Sequence, residues 1–267
     1  MGADIKALRT RMKSVDSTLH LTKAMGLVAS SKIRRATEAM NRGREYKKAV
    51  DEVVKLLTAC PECKKSPYMQ VRGSERTRII AIAGDRGLAG GYNANIFRTA
   101  REFGGAEFIT IGKRACDRFG KEPNSSEHFS YEETYALAEK LCAEFCAGEY
   151  DRLGIISTRY VSMLSQEPQV SWVLPLVCEE EKASAGVIFE PEELTILNAA
   201  VPEYVAGTIF SAIRESFACE VMARRTAMDS AGKNAQEMLD ELGLQYNRAR
   251  QGAITQEITE IVAGAGE

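Results

Sequence analysis

From Ile5 onward, positions recur at alternating steps of three and four residues: Ile5, Leu8, Met12, Val15, Leu19, Thr22, Gly26, Ala29, Ile33, Ala36, Met40, Gly43, Lys47, Val50, Val54 and Leu57. Twelve of these sixteen are apolar, and no proline intervenes before Pro61. Such steps keep side chains on one face of a helix, and a strict alternation sustained this long marks a coiled-coil seam. At about 1.5 Å per residue the helix reaches about 80 Å, more than a compact domain could bury. Thr22, Gly26, Ala29 and Ala36 make the middle of the seam small-sided. Two readings fit: a plain, imperfect coiled coil, or a pair of helices brought deliberately close at its centre. Periodicity does not separate them.

"CPECKKSPYMQVRGSER" ends this helix with Pro61, Pro67 and Gly73. The pattern then changes. Short apolar runs predict strands over 78–83, 107–111, 152–158 and 169–176, and helical spacing predicts helices over 93–101, 113–119 and 131–147. A β-α-β-α-β order argues a parallel sheet flanked by helices. The acidic stretch "CEEEKASAG" and the segment up to Pro202 close the region, and Pro202 is read as the start of the next helix. The remaining chain lacks proline and carries Met228, Ala231, Ala235, Met238, Leu242, Ala249 and Ile258 at spacings of one helical face. The fold class expected is therefore α/β: a long antiparallel coiled coil of N- and C-terminal helices plus a central Rossmann-like domain with a mainly parallel sheet. The expected divisions are helix 1–60, linker 61–76, α/β domain 77–202 and helix 203–267.

Charge adds a clue about partners. Residues 1–55 hold thirteen Lys/Arg against six Asp/Glu, and the remainder holds 22 against 31, so a basic arm precedes an acidic body. A basic arm seeks an acidic partner, protein or nucleic acid. The polar N-terminus, "MGADIKALRT", is neither a secretory signal nor a convincing transit peptide. No apolar run approaches the roughly 20 residues that cross a bilayer. The seven scattered cysteines suggest no disulfide framework, and "CPEC", a lone pair, is not a zinc site; no metal is expected.

"RIIAIAGDRGLAGGYNANIF" raises the question of chemistry, because strand, glycine turn and helix are the layout that cradles phosphate. The details differ. A P-loop needs Lys-Ser/Thr after its glycines, and Gly91 is followed by Tyr92-Asn93; the dinucleotide spacing G-x-G-x-x-G is also absent. Tight turning and close helix–strand packing account for glycines equally well. With two histidines, one in the long helix, and no nucleophile–base set, neither catalytic residues nor a cofactor are expected.

Three stretches together resemble the γ subunit of F-type ATP synthase: "IKALRTRMKSVDSTLHLTKAMGLVASSKIRRATEAM", "GDRGLAGGYNANIF" and the C-terminal run from Ala223. They appear in the right order and span both ends and the middle. The resemblance implies an antiparallel coiled coil carrying a Rossmann-like domain that binds no nucleotide. It implies a rotor shaft inside a ring of α and β subunits, meeting the ε subunit and the c-subunit ring, and coupling proton flow to ATP synthesis or hydrolysis. The chain would be no enzyme by itself. It would bind no nucleic acid and touch the membrane only through the complex, on the cytoplasmic side of a bacterial plasma membrane. Lys23, Met25, Arg224, Gln251, Thr255 and Glu257 match family positions that meet the β subunits. Gly84, Asp85, Arg86, Gly87, Gly90 and Gly91 match a structural loop near the rotor–stator collar. The sequence departs from the family in Ala89, often cysteine, in Arg225, often methionine, and in Gly252, often alanine.

Overall fold

The computed structural model describes residues 2–73, 76–178 and 189–264. Most of "CEEEKASAG" lies outside them. The element order is α1 (Gly2–Thr58), two short 3-10 turns (Pro61–Lys65 and Pro67–Met69), β1 (Thr77–Ile82), α2 (Tyr92–Arg101), β2 (Glu107–Ile111), α3 (Lys113–Phe119), α4 (Tyr131–Cys146), β3 (Arg152–Tyr160), β4 (Gln166–Leu174) and α5 (Glu193–Gly264). Two compact units result. One comprises Met1–Ser30 with Arg224–Glu267, the other Ser31–Ala223.

The larger unit is built on a four-stranded sheet in the order β2-β1-β3-β4. β1 runs parallel to both β2 and β3, while β4 is antiparallel to β3. The antiparallel strand follows from its connection: five residues, Val161–Ser165, can turn a hairpin but cannot carry a crossover. Both faces of the central strands are covered. Ile79, Ile80, Ala81 and Ile82 are all fully buried, with Ile80 and Ile82 in one core and Ile79 in the other. That is why β1 reads as a continuous apolar run rather than an alternating one. α2 and α3 supply Ile96, Ala100 and Ala115 to one side. On the other side Leu141 and Phe145 of α4 meet Val54 and Leu57 of α1 and Leu197, Val201, Val205, Ile209 and Ile213 of α5. Ser130 starts α4 with a reciprocal cap: its hydroxyl accepts from the Glu133 amide and its own amide donates to the Glu133 carboxylate.

The last helix expected from the sequence begins earlier than Pro202 suggests. α5 starts at Glu193 and carries Pro202 inside it. A proline there deletes one helical hydrogen bond and costs about 3 kcal/mol. Leu197, Val201 and Val205 are each fully buried on the same face. At about 1.5–3 kcal/mol apiece their burial outweighs the lost bond. α5 also contains an 18-residue window apolar enough for a bilayer, contrary to the expectation that no such run exists; half of that window is buried within the protein.

Along α1, none of the sixteen seam positions is exposed. In the smaller unit α1 and α5 run antiparallel. Gly26 faces Arg225 and Met228, and Gly232 faces Thr22 and Leu19. A side-chain carbon added at Gly26 would stand 3.1 Å from the Arg225 guanidinium and 3.6 Å from Met228 Cβ. Thr22 and Ala29 are buried beside it, whereas Ile5, Leu8, Met12 and Val15 are only half-buried. The small residues therefore mark a close approach of the two helices. On α5, from Met228 onward, the buried or half-buried positions are Met228, Ala231, Gly232, Ala235, Leu239, Leu242, Gly243, Tyr246, Ala249 and Ala253. Met238 and Ile258, expected on this face, point to solvent, with Leu239 taking the inward place.

Candidate functional site

The glycine loop follows β1 and leads into α2, the place where a phosphate would sit. The chain's own carboxylates are there instead. Gly84 is packed against Glu220 of α5: a Cβ at Gly84 would fall 2.6 Å from the Glu220 Cδ, so a larger residue would push that carboxylate aside. Glu220 is 2% exposed and accepts from the Arg86 amide at 3.4 Å. Asp85 accepts from the amide of Lys113, the first residue of α3, at 3.1 Å, and from the amides of Ser126 and Glu127 at 3.0 and 3.1 Å. It also accepts from the Ser125 hydroxyl at 2.6 Å. Burial pushes this carboxyl up, but the four hydrogen bonds outweigh it and hold Asp85 below its ordinary value. An anion is thus already seated at the start of α3, and a bound phosphate would face two carboxylates.

Asn93 closes the loop on itself. Its side chain accepts from the Gly84 amide at 2.9 Å and donates to the Arg86 carbonyl at 3.2 Å. Tyr92 is buried, donating to the Ser216 carbonyl at 2.9 Å, which ties α2 to α5. Gly90 has φ 58°, and Leu88, which is not glycine, has φ 61° and a side chain 62% exposed. An exposed leucine held left-handed is a strained, outward-facing feature that pattern reading missed. Arg86 is also exposed; Gly87 lies beside the Arg114 guanidinium, and Gly91 precedes the first turn of α2.

The other candidate residues lie in the helical unit. Lys23 is exposed and Met25 half-buried on α1; Arg224 is half-buried on α5. Gln251, Thr255 and Glu257 are exposed, and the Thr255 hydroxyl only donates to the Gln251 carbonyl one turn back. The six do not form one site. Gln251 lies 27 residues beyond Arg224, so about 40 Å separates the two groups along the helix. Arg225 fills the space left by Gly26 and pairs with Asp229 at 2.9 Å. The Arg225 charge is accommodated by a neighbouring glycine.

The family model described as ATP synthase matches residues 4–266. The ATP synthase gamma chain of Ruminococcus albus is 39% identical, with 97% of this chain and 96% of that protein covered. The gamma chain of Acetobacterium woodii, described as sodium ion specific, is 36% identical with 99% of each covered. The chain belongs to the ATP synthase gamma chain family. A subunit of the Euglena gracilis mitochondrial ATP synthase, solved with the c-ring in one rotational state, shares the fold. Its TM-score is 0.71 at 21% identity, with 98% of this chain and 94% of that one covered.

As a gamma chain, the molecule shows two exposed apolar surfaces that the sequence reading did not single out. Leu21, Leu27 and Val28 of α1 are 60%, 68% and 56% exposed, and Leu27 lies one turn from Lys23. Ile254, Ile258, Ile261 and Val262 form a stripe at the end of α5. The pairing register explains the second. Gly26 lies opposite Met228 and Thr22 opposite Gly232, residue numbers totalling 254 each time, which places the start of α1 opposite Gly252. Past Ala253 the seam positions turn polar, to Gln256 and Glu260, which hydrogen-bond each other at 2.8 Å. The apolar stripe resumes one residue, about 100°, out of phase. That phase slip was the signal available in the sequence.

Proposed function

We propose that this chain is the central rotor shaft of a bacterial F-type ATP synthase, turning inside a ring of α and β subunits and meeting the ε subunit and the c-ring. Its role is mechanical. It carries no catalytic group and couples proton flow across the plasma membrane, from the cytoplasmic side, to ATP synthesis or hydrolysis in the ring. The observation that carries this reading is the full-length family match. The exposed surfaces of the helical unit fit it. Lys23, Met25 and Arg224 form a lower contact with the β subunits, where the exposed side chain of Leu27, one turn from Lys23, adds apolar area. Gln251, beside the start of α1, and Thr255 and Glu257, beyond it, form an upper contact. Exposed ion pairs are worth about 0–1 kcal/mol, so polar contacts of this kind engage and release without trapping the rotor. The loop Gly84–Gly91 is a structural element at the collar, stiffened by Asp85, Asn93 and Glu220.

Co-purification from native membranes in mild detergent tests the proposal. Recovery of α and β subunits whose ATPase activity depends on this chain supports it. Recovery of the chain alone, carrying a nucleotide, would overturn it.

A further inference from the structure

A cavity of about 610 Å³ lies wholly within the larger unit, between α1, the first turn of α4 and α5. Its volume falls in the range of small-molecule sites, roughly 300–1,000 Å³. α1 contributes Ala39, Arg42, Gly43 and Tyr46, which share one helical face; Tyr131, Glu203, Phe210 and Arg214 complete the wall. Three rings are joined edge to face: Tyr46 with Tyr131 at 6.2 Å and Tyr131 with Phe210 at 5.4 Å. Glycine makes the room. A Cβ at Gly207 would strike the Tyr46 ring at 2.8 Å.

The polar groups are few and already ordered. Glu203 accepts from the hydroxyls of both Tyr46 and Tyr131, which are 3.3 Å apart. Burial, with the Glu203 bond, raises both phenols, so they stay protonated and keep donating. The carboxylate is therefore satisfied. The two guanidiniums are not neutralised. Arg214 stacks on Phe210 at 4.5 Å and donates to the Glu127 and Phe129 carbonyls, and neither it nor Arg42 has an ion-pair partner among the described residues. Two cations thus face one occupied carboxylate, beside an aromatic wall.

We infer that this cavity is a binding site for an amphipathic anion, a small molecule whose apolar body lies against Tyr46, Tyr131 and Phe210 while its acid group pairs with Arg42 and Arg214. None of these residues belongs to the proposed contacts with the ring, so the site is separate from the rotor reading. Bound there, the ligand would bridge α1 to α5 within this unit.

The test uses 8-anilinonaphthalene-1-sulfonate as the fluorescent probe, with the full chain and with the purified complex. One saturable site per chain is expected, emptied by dodecanoate but not by inorganic phosphate, which lacks the apolar body. Arg42→Glu should weaken the probe at least tenfold, and Ala39→Trp should abolish saturable binding by filling the space. Leu164→Ser, removing an 81% exposed leucine elsewhere, should change nothing. Arg42 is exposed, so its variant keeps the test sound even if Ala39→Trp fails to fold. Equal binding by wild type and Arg42→Glu would overturn the inference. So would exclusion of the probe from the complex, because a partner's side chains would then be the occupant.

Discussion

At the scale of single residues, Asp85 has the clearest energetic role. Its four donors come from α3 and the segment before α4, so one carboxylate holds the glycine loop to two other parts of the unit. Asp85→Ala leaves those donors unpaired and should lower unfolding stability by roughly 3 kcal/mol in a denaturant titration. The sign with pH follows from the depressed carboxyl. Its contribution is fully present above the ordinary value of 3.8 and is lost as pH falls through the lower folded value. The gap in thermal midpoint between wild type and Asp85→Ala should therefore close as pH drops below about 4. The cysteines make a second prediction. Burial raises the thiols of Cys63 to about 11 and of Cys142 and Cys219 to about 12, while Cys146 is exposed. Brief iodoacetamide treatment at neutral pH, read by mass spectrometry, should modify Cys146 well before those three. The Cys219 thiol donates to the Thr158 carbonyl of β3 at 3.7 Å, so its early labelling would show that α5 does not pack on β3 there.

At the scale of elements, the seam of α1 follows from sequence alone while that of α5 does not. Sixteen positions in α1 keep one phase, so a three–four step finds them all. In α5 both Met238 and Leu239 lie at permitted steps from Ala235, and only the position of α1 selects Leu239. Ala235 is 7% exposed at the interface. Ala235→Glu places a charge there without a partner and should cost roughly 2–4 kcal/mol. Melting of the helical unit measures this directly, and ATP-driven proton pumping by the complex should fall with it. An unchanged melting curve would show that the helices do not meet at Ala235. The short loop between β3 and β4 is the opposite kind of case. The expected strands, 152–158 and 169–176, leave ten residues between them; the structure lengthens β3 and begins β4 earlier, and the five that remain make a hairpin.

At the scale of the molecule, the family and its mechanical role rest on segments at both ends of the chain, which is why a sequence reading could reach them. Removal of the residues after Ala253 provides a test. The stripe Ile254, Ile258, Ile261 and Val262 contributes nothing to the buried seam. Truncation there should leave the isolated chain's unfolding unchanged, yet weaken its retention by the ring in a salt and detergent wash. Loss of thermal stability instead would mean that the stripe is packed within the chain.

The sequence by itself determined the periodic elements: the α1 seam, the strand and helix spans of the central domain, and the absence of a P-loop signature. These are local, because a repeat of two or of three and four residues is written in neighbouring positions. Only the tertiary structure decided what spends the glycine loop's hydrogen bonds. Glu220 lies 136 residues from Gly84, and no local pattern announces that its carboxylate occupies the space a phosphate would need. The same holds for the aromatic cavity, whose walls come from Tyr46, Tyr131 and Phe210. Pairing across such separations depends on how faces meet, and that is fixed by packing and shape rather than by spacing along the chain.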